Sequence, residues 1–254
     1  GLAAGAASPP TACGVGTAGA VDTHGRVTHA TSTLPGWAGT DVRSRLSRRL
    51  SLPVTVHNDV HVMALGEARF GAAAGVADAL VVAVGTGVGG AIVARGELVA
   101  GRHGFGGSIG HLPAVRRDGR LCGCGLRDHV EAYAAGPAIV AAYATRCAAQ
   151  SPTLEEIGDM AAAGDPLAAQ VIAEAAEVLG TGLAAAVNLI DPAVVVLGGG
   201  VIGLGPALLD PAEAAMRAAA LPGPDRVPLR PAALGPAAVV AGAAAAALDI
   251  SGGR

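Results

Sequence analysis

PVTVHNDVHVMALGEARF, residues 53–70, is the stretch of sequence from which the fold can be predicted. Its first part, Pro53 to His57, is rich in β-branched side chains and predicts a strand. Asn58 and Asp59 follow as turn residues, and Val60 to Phe70 then predicts a helix. A strand that passes through polar turn residues into a helix is the building unit of α/β proteins.

The same alternation of β-branched runs and Ala-rich runs continues along the chain. The other predicted strands are Cys13 to Val15, Leu80 to Val84, Ala91 to Ala94 and Val194 to Leu197. The other predicted helices are Asp41 to Leu50, Val130 to Gln150, Thr153 to Ala163, Pro166 to Leu189, Pro211 to Ala220 and Ala237 to Leu248. Asp165-Pro166 and Asp210-Pro211 are interpreted as N-cap and N1 pairs. The sequence therefore predicts an α/β fold in which helices cover a sheet.

Composition excludes several classes of function. The chain has 254 residues, 52% hydrophobic and 15% charged, which is enough for one large or two modest domains. A net charge of -3 gives no long-range attraction for nucleic acid through this chain. All 17 basic residues are arginine, so neither a P-loop lysine nor a Schiff-base lysine is available.

Targeting signals are weak in this sequence. No Leu-rich run of about 20 residues predicts a membrane helix, and the N-terminus has no basic segment typical of a signal peptide. The start at Gly1 instead of Met suggests a fragment. Four unevenly spaced cysteines favour a reducing cytoplasm over a disulfide framework.

A candidate metal site lies in residues 101–131, GRHGFGGSIGHLPAVRRDGRLCGCGLRDHVE. His111, Cys122, Cys124 and His129 supply two imidazoles and two thiolates, a donor set that suits tetrahedral zinc. A disulfide between Cys122 and Cys124 would be strained because the two lie one residue apart. The alternative interpretation is a mobile polar loop with unpaired thiols.

Three further segments could carry chemistry, and each has a structural alternative. Asp59, at the end of a predicted strand, could be a general base or only the N-cap of the following helix. Residues 85–90, GTGVGG, could bring backbone amides close to a polyanion, or could form a tight hairpin whose glycines supply positive φ. Residues 198–200, GGG, could offer a flat surface to a purine, or could be a plain strand-to-helix crossing.

Seven motifs in this order resemble the ROK family of bacterial sugar kinases, related repressors and open reading frames. They are TLPGW (Thr33 to Trp37), ND (Asn58 and Asp59), GTGVGG (Gly85 to Gly90), IGH (Ile109 to His111), CGCG (Cys122 to Gly125), HVE (His129 to Glu131) and LGGGV (Leu197 to Val201). The resemblance runs from about Gly14 to Ala247. It is specific because the motifs match in order across nearly the whole chain.

The resemblance implies an actin-like ATPase (ribonuclease H-like) fold, with two α/β domains around a cleft. A small, N-terminal type domain is expected in residues 1–75 and 236–254, and it is expected to be incomplete. A large domain with the zinc loop and the nucleotide-binding turns is expected in residues 76–235. The family's first phosphate loop, an Asp-x-Gly-Gly-Thr turn, is expected to lie upstream of Gly14.

The resemblance also implies a role for each motif. Asp59 would be the catalytic base that takes the proton from a sugar hydroxyl, usually the 6-hydroxyl, so that this oxygen attacks the γ-phosphate of ATP with Mg²⁺ present. Residues implied to bind the sugar are Asn58, His111, Glu131, Ser108 and Thr33. Those implied to bind the nucleotide are Gly85, Thr86, Gly87, Gly89, Gly198, Gly199 and Gly200. His111 would serve both the sugar and a structural zinc ion.

The chain departs from the family pattern at three of these positions. Ser108 replaces a glutamate three residues before the zinc histidine, a change that the N-acetylmannosamine kinase branch also tends to show. His129 replaces the third zinc cysteine, and Thr33 replaces an asparagine that often precedes LPGW. Ser108 and Thr33 bear on which sugar is accepted, whereas His129 is a conservative exchange that keeps a good tetrahedral donor set.

Two functions follow from the resemblance. The first is an ATP-dependent kinase for a hexose or an N-acylhexosamine, of the glucose or N-acetylmannosamine type. The second is the sugar-sensing domain of a ROK repressor whose DNA-binding part lies outside this chain. The intact Asp59 and GTGVGG turn favour the kinase. A homodimer in the cytoplasm, without a membrane partner, is implied in either case.

Overall fold

The computed structural model describes residues 9–30, 34–147 and 152–252. These residues form two compact units. The first contains residues up to Ala77, together with Ala91–Gly106 and the segment from Ala232 onward. The second contains Asp78–Gly90 and Gly107–Pro231. The predicted domain division stays a prediction, and the observed units differ from it in placing Ala91–Gly106 with the first unit.

Parallel pairing of two strands is the centre of the first unit. β1 (Cys13–Thr17) pairs with β4 (Val54–Asn58) in register from Cys13 opposite Val54 to Thr17 opposite Asn58. Two short antiparallel strands, β2 (Ala20–Val21) and β3 (Val27–His29), lie beside a cluster of buried valines. The helices of this unit are α1 (Val42–Leu50), α2 (Asp59–Phe70) and α8 (Ala238–Ile250).

Helices α2 and α8 approach each other at backbone distance. A Cβ added at Gly242 would overlap the carbonyl of Val62, and one added at Gly66 would overlap the carbonyl of Ala238. The helices can therefore pack this closely only because glycine occupies both positions. The Ala-rich sequence of α8, with its single glycine at Gly242, suits this crossing, since larger side chains would separate the two backbones.

A five-stranded sheet has the strand order β7-β6-β5-β8-β9. In the second unit, β5 (Ala79–Val84) pairs in parallel with β8 (Val194–Gly198), and β8 pairs in parallel with β9 (Leu229–Pro231). β6 (Val88–Ala94) follows β5, and its end pairs antiparallel with β7 (Glu97–Leu98). β5 and β8 are buried along almost their whole length, as is usual for parallel strands covered on both faces.

The helices of the second unit are α3 (Glu131–Ala134), α4 (Gly136–Ala144), α5 (Leu154–Ala162), α6 (Pro166–Ile190) and α7 (Pro206–Ala219). The side chain of Asp165 accepts from the backbone N–H of Ala168, so the predicted N-cap of α6 is confirmed. By length and composition α6 could span a membrane, yet 67% of its apolar window is buried within the protein. Core helices of globular proteins share this property.

Two helix predictions were wrong in detail. A single helix from Val130 to Gln150 was predicted, but the chain forms α3 and α4 with an extended residue at Ala135 between them. Pro137 is the reason, because it has no N–H to donate and its ring would collide with the carbonyl four residues earlier. Residues 148–150 of that prediction lie outside the described residues.

Helix α7 begins earlier than predicted. The pair Asp210-Pro211 does not start it, since Pro206 occupies the first turn after Gly205 and Pro211 lies inside the helix. Leu208, in this additional turn, is fully buried. Burying a leucine side chain contributes about 1.5–3 kcal/mol, which offsets the hydrogen bond that Pro211 cannot make.

Candidate functional site

Asn58 and Asp59 lie in the first unit, where β4 passes into α2. The Asn58 side chain caps the helix, since its Oδ1 accepts from the N–H groups of Val60 and His61 at 2.9 and 3.3 Å. Its Nδ2 donates to the Gly19 carbonyl at 3.0 Å. The N-cap alternative for Asp59 is therefore wrong, because Asn58 has that role.

Asp59 is the first residue of α2 and is half-buried. One of its oxygens, Oδ1, accepts from the N–H of the adjacent Val60 at 2.9 Å. A carboxylate at the N-terminal end of a helix is stabilised by the helix dipole. Asp59 is thus held at the end of β4, where α/β folds bind their ligands, without being the cap of the helix behind it.

Two histidines flank this position, the buried His61 and the half-buried His57. His57 Nε2 lies 2.9 Å from the hydroxyl oxygen of Thr55, and His61 Nε2 lies 2.9 Å from the carbonyl oxygen of Gly106. Burial lowers the pKa of both imidazoles, while the hydrogen bond to Gly106 and the charge of Asp59 act in the opposite direction at His61. The sequence prediction did not single out either histidine.

In the second unit, residues 85–87 connect β5 to β6, and the remaining residues of the GTGVGG segment, 88–90, already belong to β6. The N–H of Gly85 donates to the carbonyl of Gly87 at 2.8 Å, and Thr86 at the tip is exposed. The hairpin geometry was anticipated, but none of these glycines has positive φ. Gly87 is required for space instead, because a Cβ there would lie 2.6 Å from Glu131 Oε2.

The Gly198–Gly200 turn lies beside the start of the Gly85–Gly90 turn. Ala83 is paired with Gly198 at the ends of β5 and β8, and both strands point the same way. Gly199 has a φ of 93°, and a Cβ there would overlap the carbonyl of Val84. The two glycine turns therefore meet at the carboxyl ends of adjacent parallel strands.

Glu131 joins the first of these turns to the predicted metal ligands. Its Oε2 accepts from the backbone N–H of Val88 at 3.1 Å, and its Oε1 lies 3.2 Å from Cys122 Sγ. Burial raises the pKa of the Cys122 thiol to about 12, and the hydrogen bond to Glu131 acts in the same direction. The half-buried Glu131 carboxylate thus lies between a glycine turn and a thiol cluster.

The four predicted metal ligands converge, with all four donor atoms within 4.8 Å of one another. Cys122 Sγ lies 3.6 Å from His111 Nδ1, and Cys124 Sγ lies 3.3 Å from His129 Nδ1. Tetrahedral zinc, with bonds of about 2.3 Å to sulfur and about 2.0 Å to nitrogen, would hold a sulfur and a nitrogen about 3.5 Å apart. The donor set and its spacing therefore fit zinc.

The segment that carries the four predicted metal ligands, residues 111–129, is called the metal loop and contains a hairpin. Cys122 and Leu126 close its tip through a 2.8 Å backbone hydrogen bond, and Asp128 N–H donates to the Arg120 carbonyl at 2.9 Å. The Tyr133 hydroxyl then donates to the Asp128 carboxylate at 2.6 Å. Tyr133 is nearly fully buried, so it fixes the loop against α3. Asp128 and Tyr133 were not predicted as part of this site, although both lie within a few residues of the predicted ligands.

Ser108 and Thr33 are the two remaining residues that were predicted to bind the sugar. Ser108 is half-buried, and its carbonyl accepts from the N–H of His111 at 3.0 Å at the start of a short 3-10 turn. This places Ser108 and His111 on one turn in the second unit. Thr33 lies outside the described residues.

The parallel strands, their crossover helices and the ligand-type turns at the strand ends define an α/β protein with the actin-like ATPase fold. The chain belongs to the ROK family, whose sequence profile matches residues 4–250. The resemblance inferred from the seven motifs is thereby confirmed.

Both functional classes of the family occur among the relatives. A glucokinase of Halalkalibacterium halodurans is 34% identical over 201 residues, which cover 74% of this chain and 61% of that protein. The DNA-binding transcriptional dual regulator NagC of Escherichia coli is 32% identical over 184 residues, 69% of this chain and 45% of that protein.

A solved structure gives the most detailed comparison. The ROK family glucokinase of Streptomyces griseus, crystallised with glucose and AMPPNP, superposes with a TM-score of 0.81 at 34% identity. The match covers 94% of this chain and 82% of that one.

Proposed function

We propose that this chain is an ATP-dependent sugar kinase that phosphorylates glucose at the 6-hydroxyl. The observation that carries the proposal is the position of Glu131, which contacts both the Gly85–Gly90 turn and the metal loop. A carboxylate there can accept from sugar hydroxyls beside a turn that can accommodate phosphates. The similarity to glucokinases supports glucose as the substrate.

Asp59 is the proposed general base. Its carboxylate accepts the proton of the 6-hydroxyl while that oxygen forms a bond to the γ-phosphorus of ATP, and the bond between this phosphorus and the bridging oxygen of ADP breaks. Asn58 is proposed to orient the sugar, with its second Nδ2 hydrogen as the available donor. Mg²⁺, bound with the nucleotide, supplies positive charge that offsets the charge on the phosphates.

The second unit is proposed to bind the nucleotide. Backbone amides of Thr86, Gly87 and Gly89 are proposed to face the phosphates, while Gly85 shapes the turn through its hydrogen bond to the Gly87 carbonyl. The turn of Gly198, Gly199 and Gly200 is proposed to accept the adenosine. The absence of lysine from the chain makes backbone amides and arginine the available phosphate donors. A turn rich in glycine suits this role, since amides can approach an anion without obstruction by side chains.

Zinc is proposed to be structural, because protein donors fill all four positions. His111, Cys122, Cys124 and His129 would hold it, and the Nδ1 of His111 faces Cys122. That arrangement leaves His111 Nε2 for a sugar hydroxyl. Ser108 and Thr33 are the proposed determinants of sugar choice, including the choice between glucose and N-acetylmannosamine.

Turnover and binding measurements on the same preparation test the kinase proposal. With ATP, Mg²⁺ and glucose, the chain should form glucose 6-phosphate. Asp59→Asn should lower turnover by at least about a hundredfold, the lower range of general-base catalysis, while glucose affinity changes little. Asp159→Asn on the exposed face of α5 is the matched control and should leave turnover unchanged. Unchanged turnover in the Asp59 variant would contradict the assignment.

A sugar-sensing domain is the second candidate, favoured by the similarity to NagC. It predicts glucose or N-acetylhexosamine binding, measurable by calorimetry, with no product formed from ATP. Under either proposal the natural location is the cytoplasm, where ATP and regulatory DNA are found, and the proposed assembly is a homodimer. Sedimentation of the purified chain tests the oligomeric state.

A further inference from the structure

The Ala100–Gly106 segment, AGRHGFG, joins β7 to the turn that contains Ser108. Gly101 and Gly104 have positive φ, and Gly106 N–H donates to the Ala100 carbonyl at 2.8 Å. A segment so rich in glycine loses much conformational entropy when it is ordered. Its position therefore depends on the contacts that attach it to the rest of the first unit.

The contacts that attach this segment to the rest of the first unit include the following three. Gly104 lies against the backbone of Val21, where a Cβ would not fit. Phe105 packs edge-on against the ring of His29, with 5.1 Å between centroids. The third contact is the hydrogen bond between His61 Nε2 and the Gly106 carbonyl at 2.9 Å. It is the contact nearest in sequence to Ser108.

His61 is suited to hold Gly106 rigidly. It lies in the first turn of α2, two residues after Asp59, and only 4% of its surface is exposed. A carbonyl oxygen can only accept, so Nε2 must carry the proton that is donated. Burial lowers the pKa of His61, so a neutral ring with its proton on Nε2 is the form present at pH 7.

We propose that His61 is a positioning residue for sugar binding, which attaches the Ala100–Gly106 segment to the helix that begins with Asp59. The chain continues from Gly106 through Gly107 directly to Ser108, one of the residues proposed to bind the sugar. His61 acts through this segment and not by contact with the sugar. The proposal rests on the proposed sugar kinase function.

Two amide variants separate this role from a general effect on folding. In His61→Gln the side-chain nitrogen occupies nearly the place of Nε2 and can still donate to Gly106. In His61→Asn the side chain is one methylene shorter, so the nitrogen falls short of that carbonyl. Loss of one hydrogen bond should weaken glucose binding by about three- to tenfold in His61→Asn. His61→Gln should remain within about twofold of the unchanged protein.

Calorimetry with glucose and, separately, with AMPPNP is the first measurement. The proposal expects the affinity for glucose to fall in His61→Asn while the affinity for AMPPNP is unchanged. An equal loss for both ligands, or equal behaviour of the Asn and Gln variants, would overturn it. A purely structural role of His61 would produce the first of these results.

Hydrogen exchange gives a second measurement that does not depend on sugar binding. The amides of Gly104 and Gly106 donate within the segment. They should lose protection by about tenfold or more in His61→Asn and keep it in His61→Gln, whereas the amide of Val195 in β8 should be unaffected. If the unchanged protein binds no glucose, the proposed function fails. Unchanged exchange at Gly104 and Gly106 in His61→Asn overturns the positioning role.

Discussion

Glu131 accepts a hydrogen bond from the backbone of Val88, 43 residues earlier in the chain, at 3.1 Å. Its other oxygen is 3.2 Å from Cys122 Sγ. One side chain thus connects the glycine turn after β5 with the metal loop. A movement of the glycine turn or of the metal loop is therefore transmitted to the other through this carboxylate.

Replacing Glu131 by Gln should lower kcat/KM for glucose by about ten- to a hundredfold, because a hydrogen bond to a charged group contributes about 1.5–3 kcal/mol. The amide also lacks the negative charge with which the carboxylate accepts from the Val88 N–H. Steady-state kinetics with varied glucose measures the change. The matched control is Glu155→Gln on exposed helix α5, and a Glu131 variant that behaves like this control would contradict the assignment.

Zinc analysis of the purified chain should give about one ion per monomer. Chelation should lower the free energy of unfolding by about 3 kcal/mol, if free zinc before chelation is about a hundred times the dissociation constant. Cys124→Ser should lose the ion. His129→Cys should retain it, since three cysteines and one histidine are also a good tetrahedral set.

Cys147→Ser is the control for the metal prediction, because Cys147 is not among the four clustered donors. It should keep both the ion and the stability. A chain without zinc that is unaffected by chelation would show that the four donors converge for another reason.

Glu67 is fully buried, and its carboxylate accepts from three backbone N–H groups, those of Ala72, Ala233 and Leu234, at 2.8, 3.0 and 2.9 Å. Glu67→Gln should destabilise the protein by about 2–4 kcal/mol, since an amide nitrogen would face N–H donors. Urea unfolding measures the loss. Glu97→Gln, on an exposed strand, should change stability by less than about 0.5 kcal/mol. Similar losses in both variants would mean that the buried contacts contribute little.

Acidification should destabilise the first unit through His57. Burial, with contributions from His61 and Arg43, lowers the pKa of His57 below 6.5. As the pH falls through about 6.5, the unfolded chain binds a proton before the folded one does, so stability decreases. The free energy of unfolding should therefore decrease more between pH 7.5 and 5.5 in the unchanged protein than in His57→Gln. Equal decreases would contradict the prediction.

The parts of the molecule that depend on local sequence patterns were predicted best. The strand and helix around Asn58 and Asp59 follow from β-branched side chains and a polar turn. The N-cap at Asp165 follows from an Asp-Pro pair. Prediction failed where two signals disagreed. At Pro137 a proline interrupts an otherwise helical pattern, and before Pro211 the burial of Leu208 extends the helix by a turn.

Contacts between residues that are far apart in the sequence could not be predicted. Nothing in the composition of α2 shows that Glu67 will meet Ala233, or that His61 will meet Gly106. The short strands β2, β3, β7 and β9 were not predicted, because two or three residues carry too little periodicity. The convergence of the four predicted metal ligands could be anticipated because four donors of suitable chemistry lie within 19 consecutive residues, 111 to 129.

The glycine crossing of α2 and α8 sets an order of events during synthesis on the ribosome. Arg69 and Asp249, at the ends of these helices, are 180 residues apart and form an ion pair. The first unit therefore stays unfinished until translation has reached α8, when the strands and helices of the second unit have already been synthesised. Until α8 is made, the apolar side of α2 has no helix packed against it. A nascent chain that stalls before Gly242 therefore leaves this side of α2 accessible to chaperones and proteases.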